Sequence, residues 1–152
     1  MYTLDANIFV RDANPHDPSH ETCRDLLERL HTARLPIFEP AILLAEVAGP
    51  LSRTFRDPIR ARLYAEAVSA LPNLSLIAID GEIAQLAAEI AADYALRGMD
   101  AIYIAIAYRY NCAFVTLDEE PRRRRVQPRR WRAARSGRPW GVSGGGAVEV
   151  RI

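Results

Sequence analysis

Apolar and polar positions along residues 1–120 switch between strand-like and helix-like periods, and each switch marks an element. Tyr2, Thr3 and Leu4 read as a short strand that ends at Asp5. Cys23, Leu26, Leu27 and Leu30 fall at helical spacing within residues 18–34, and Pro18-Ser19 suits a helix start. Residues 35–38 make a second short strand. Residues 41–53 form an apolar helix containing Glu46, and Gly49-Pro50 is expected to interrupt or tighten it, because proline lacks an N–H. A helix over 58–71, a strand over 74–79 and a helix over 80–96 follow, the last burying Ile83, Leu86, Ala87 and Ile90. Residues 98–110 give a helix apolar nearly all round, and 113–117 a strand that ends at Asp118. Short apolar strands alternating with helices predict an α/β fold with a parallel sheet covered on both faces.

Composition narrows the function classes. Hydrophobic residues at 49% and charged residues at 26% of 152 positions suit a soluble globular domain able to bury its own core. No apolar run reaches the ~18 residues of a membrane span, and Met1 to Asp5 carry no signal-peptide features, so a cytoplasmic protein without membrane contact is expected. Cys23 and Cys112 match no metal or redox spacing and read as reduced thiols. All 20 basic residues are arginine. Chemistry that needs a lysine amine, such as a P-loop or a Schiff base, is therefore excluded.

Charge divides the chain at about Pro121. Residues 1–120 carry 10 Arg against 18 Asp and Glu, a net of −8, and residues 121–152 carry 10 Arg against Glu149 alone, a net of +9. The tail also holds both tryptophans and five of the eight glycines, and it is too poor in large aliphatics to make a core. The expected organisation is a domain over 1–120 and a basic Arg/Gly-rich tail over 121–152, with residues 147–152 alternating like an edge strand.

Four carboxylates stand where an α/β sheet binds its ligands, outside the carboxyl ends of the strands. Asp5 and Asp118 each follow a strand directly, Glu46 interrupts an apolar helix, and Asp100 opens the buried one. Each has a plain structural alternative: Asp5, Asp100 and Asp118 as caps, Glu46 as the partner of Arg53 or Arg97. Taken together, four acids at strand ends would repel one another unless a cation sat among them. Hard oxygen donors without a usefully spaced histidine favour Mg2+ or Mn2+, ions that typically serve phosphate chemistry. His16 and His20 have Pro18 between them and make a poor zinc pair, and Tyr103, Tyr108 and Tyr110 are read as packing.

The ordered set Leu4-Asp5-Ala6-Asn7-Ile8, Glu46 in an apolar helix, Met99-Asp100-Ala101-Ile102-Tyr103 and Val115-Thr116-Leu117-Asp118 resembles the PIN-domain ribonucleases, most closely the toxins of VapBC-type toxin–antitoxin systems. The resemblance covers residues 1–120 and implies a three-layer α/β/α sandwich with a parallel sheet of four or five strands. It implies Mg2+- or Mn2+-dependent cleavage of RNA, with Asp5, Glu46, Asp100 and Asp118 as the catalytic and metal-binding acids. Asn7 and Thr116 match the polar positions that support the first and last aspartates in such domains. A small DNA-binding antitoxin and a homodimer are the implied protein partners. An RNA-processing PIN nuclease and a catalytically inactive RNA- or partner-binding module are the alternatives. The tail departs from the family pattern, and three readings stand for it: RNA binding, cover over an acidic site, and no selected role.

Overall fold

In the computed structural model, which describes residues 1–117, four short strands make one parallel sheet. They are β1 (Tyr2–Leu4), β2 (Ile37–Pro40), β3 (Leu74–Ile77) and β4 (Ala113–Val115), in the order β3-β2-β1-β4. Six helices connect them: α1 (Ala6–Ala13), α2 (His20–Thr32), α3 (Leu43–Phe55), α4 (Pro58–Ser69), α5 (Gly81–Tyr94) and α6 (Gly98–Arg109). Asp118, the tail and the edge strand expected over 147–152 lie outside the described residues.

Topology sets the layers. The connections β1 to β2 and β2 to β3 step one way across the sheet, and β3 to β4 steps back past both. With right-handed crossovers, α1 to α4 cover one face and α5 with α6 cover the other. This is the three-layer α/β/α arrangement expected. Leu4, Ile8, Phe9, Ile37, Leu43, Val47, Leu51, Ile104 and Phe114 are all buried and fill the space on either side of the sheet. Helix α6 packs on β1, β2 and β4, and it is buried at Ala101 and again from Tyr103 to Ala107. Among the described residues, no helix is long and apolar enough to cross a membrane.

Three local readings change. The stretch after Asp5, to which the sequence assigns no element, is helix α1: Asp5 caps it, and Ile8 and Phe9 anchor it in the core. Helix α3 is not interrupted at Gly49-Pro50 but runs on to Phe55, since only the single N–H of Pro50 is missing and Leu51 is held in the core beyond it. Strand β2 also runs two residues past Phe38, through Glu39 and Pro40.

Candidate functional site

Strand order reverses between β1 and β4, and the open crevice at such a point is where α/β sheets place their ligands. Asp5 leaves β1 there and becomes the cap of α1: its Oδ1 accepts the Asn7 N–H at 3.0 Å. Its own N–H donates to the Val115 carbonyl at 2.9 Å, extending the β1–β4 ladder by one bond. The buried Thr116 hydroxyl donates to Asp5 Oδ2 at 2.6 Å. Asp5 is thus held through both oxygens and its backbone. Asn7 supports it with a main-chain amide, its side chain being exposed, and Thr116 reaches the first aspartate.

Glu46 sits half-buried in the first turn of α3. Burial lifts its carboxyl above the usual range, the Tyr103 hydroxyl pulls it back, and the negative charge of Asp5 lifts it further. The hydroxyl approaches Glu46 without reaching hydrogen-bond geometry. Tyr103 is itself pushed well above a normal phenol, by burial first and then by Glu46, Glu39 and Asp5. Asp100 lies in the first turn of α6, three residues before Tyr103 and so on the same helix face, with Oδ2 buried. It does not cap the helix, because the N-cap is Arg97. Helix α6 leads through a short turn to the start of β4, so its N-terminus points to the carboxyl edge of the sheet.

Asp5, Glu46 and Asp100 therefore all belong to that edge, and the charges of Asp5 and Glu46 meet around Tyr103. The fourth acid, Asp118, lies outside the described residues. Among the described residues, no three His, Cys, Asp or Glu side chains are gathered tightly enough to hold an ion. A cavity of about 280 Å³ lies elsewhere, lined by Phe9, Asp12, Arg24, Leu27, Tyr64 and Leu71. There Asp12 pairs with Arg24 at 3.2 Å and accepts the Tyr64 hydroxyl at 2.5 Å, tying α1, α2 and α4 together.

Two residues of this region escaped the sequence reading. Tyr103, taken as packing, faces the acids. Glu39 is fully buried on β2, where its Oε1 accepts the Leu4 N–H at 2.7 Å. Burial pushes its carboxyl well above the ordinary range, the Leu4 amide pulls it down, and Asp5 raises it. The signal was present: Glu39 stands in an apolar run as Glu46 does, and a charge there is costly without a partner.

A parallel sheet of this order, with acids at its carboxyl edge, places the chain in a class of small α/β domains. The model of the PIN domain matches residues 2–126, and the chain belongs to that family. No curated protein sequence matches it. Among solved structures, it is similar to VapBC2 from Rickettsia felis bound to a promoter DNA fragment, at 20% identity and a TM-score of 0.62, over 80% of this chain and 91% of that one. VapC20 of Mycobacterium tuberculosis, described as a toxin cleaving the sarcin–ricin loop, is 19% identical at a TM-score of 0.61, over 74% and 85%. FitAcB from Neisseria gonorrhoeae is 20% identical at 0.61, over 79% and 89%. These likenesses are likenesses of fold.

Proposed function

We propose that the protein is a metal-dependent endoribonuclease, hydrolysing RNA phosphodiester bonds as the toxin of a toxin–antitoxin pair. The observation that carries this is the placement of Asp5, Glu46 and Asp100 at the carboxyl edge of a PIN domain's sheet, where the charge of Asp5 reaches Glu46 and Tyr103. Like charges brought together in a half-buried place call for a cation. The donor set is all hard oxygen, which suits Mg2+ or Mn2+. Asp5, Glu46 and Asp100, completed by Asp118, would hold the ion. Such an ion supplies charge to offset that developing on the phosphate and lowers the pKa of water.

The chain's own residues prepare the site. Thr116 and the Asn7 amide hold one oxygen of Asp5 each. The toxin role and the small DNA-binding antitoxin draw support from the toxin and antitoxin proteins among the similar folds. A small open reading frame for such an antitoxin beside the gene would distinguish the toxin from an RNA-processing nuclease.

The test is cleavage of structured RNA by the purified full chain. Mg2+ or Mn2+ should support cleavage and excess chelator should stop it. Asp5→Asn and Asp100→Asn should each lower the rate by on the order of 100-fold or more, the scale of losing a group that stabilises developing charge, with the fold intact. Undiminished cleavage in chelator would refute the metal mechanism. Metal binding without any cleavage would favour an inactive binding module.

A further inference from the structure

The two ladders that hold β1 end differently. Toward β4, pairing is regular at Tyr2–Ala113, Thr3–Phe114 and Leu4–Val115. Toward β2, Tyr2 stands opposite Ile37 with its N–H on the Pro36 carbonyl at 2.9 Å, and no further residue pair follows. A continuing parallel ladder would carry the Leu4 N–H to the Phe38 carbonyl, then an N–H at position 40 to the Leu4 carbonyl. Position 40 is proline and has no N–H to give. The Phe38 carbonyl is taken by the Thr3 hydroxyl at 2.9 Å, and the Leu4 N–H turns to Glu39 Oε1.

A side chain thus replaces a main-chain bond one residue before Asp5. The replacement is a fully buried carboxyl whose Oε2 has no hydrogen-bond partner among the described residues. Packing alone does not explain it, because an apolar side chain would fill this place without burying a polar group. Its location does explain it. Glu39 bonds the residue next to Asp5 and lies within the electrostatic reach of Asp5 and Tyr103.

We propose that Glu39 is a positioning residue for the acidic site: its carboxyl is a side-chain rung that holds β1 apart from β2 at Leu4 and so fixes the backbone from which Asp5 meets a cation. The role rests on the metal-site reading above. It requires an acceptor oxygen of the right reach, and it does not require that oxygen to bind the ion.

Glu39→Gln keeps the reach and an accepting oxygen but cannot ionise, whereas Glu39→Asp keeps the carboxyl and shortens the reach. Both are to be made in the full chain, with Mn2+ affinity measured by titration and exchange of the Leu4 amide followed by NMR. The Gln variant should keep Leu4 protected and bind Mn2+ within about threefold of the wild type. The Asp variant should exchange Leu4 faster and bind Mn2+ about 10- to 100-fold more weakly, the usual loss when a group orienting a metal ligand is removed. Equal loss in both would overturn the proposal in favour of Glu39 as a charged ligand. Unchanged Mn2+ affinity in the Asp variant, with Leu4 exchanging faster, would also overturn it. If the wild type bound no Mn2+, the site reading itself would fall and this role with it, while Leu4 exchange would still report the rung.

Discussion

Asp5 takes part of its orientation from a hydroxyl 111 positions away in sequence, that of Thr116. Thr116→Val keeps the shape and removes the donor. A hydrogen bond to a charged group contributes about 1.5–3 kcal/mol, so the variant should unfold at lower denaturant concentration by an amount in that range. Glu39 makes a prediction about pH. Its folded pKa is raised, so between the ordinary carboxyl value of ~4.3 and that raised value the native state holds a proton that the unfolded chain has released. Stability from this source is full below the unfolded pKa and declines as pH rises toward the folded one. The metal-free protein should therefore lose stability as pH rises above the ordinary carboxyl range, and Glu39→Gln should flatten the slope in denaturant titrations. Glu46 contributes in the same direction, so the flattening is partial. The first, second and third acids were legible because each stood at a strand end or inside an apolar helix. Glu39 was not, because the strand reading stopped at Phe38, before the charge and the proline that end the ladder.

Elements were legible where periodicity ran long and illegible where a few residues decide. Helix α6 is buried nearly all round, as its run of alanine and isoleucine required. Helix α1 has only eight residues, and Asp5-Ala6-Asn7 reads equally as a turn, so its existence depends on the core that receives Ile8 and Phe9. Helix ends show the same limit. Arg56 closes α3 and Ala95 closes α5 in the left-handed conformation, at φ 53 and φ 50, where glycine is the usual residue. A side chain there costs roughly 1–2 kcal/mol relative to an ordinary helical conformation, and glycine avoids it. Ala95 is exposed, so nothing else is lost with its methyl group. Ala95→Gly should stabilise the protein by about 1 kcal/mol, read as a higher denaturant midpoint at unchanged slope.

At the scale of the molecule, Asp5, Glu46 and Asp100 lie toward the carboxyl edge of one parallel sheet. A cation that binds them binds only the folded chain, so Mn2+ should raise the unfolding temperature in proportion to the logarithm of its concentration, with Asp100→Asn suppressing the rise. The alternation of strands and helices foretold the layers, but not the strand order, which no single sequence period encodes. That order has a consequence for synthesis. The first strand made, β1, lies between β2 and β4, and β4 is the last of the described strands. A ribosome delivers the chain from its N-terminus, so β1, Asp5 and the first three strands can emerge and begin to collapse while Thr116 is still unmade. Until then Asp5 lacks the hydroxyl on Oδ2 and the carbonyl that accepts its N–H. The end of the sheet that carries Asp5 is therefore the part of the described fold completed last.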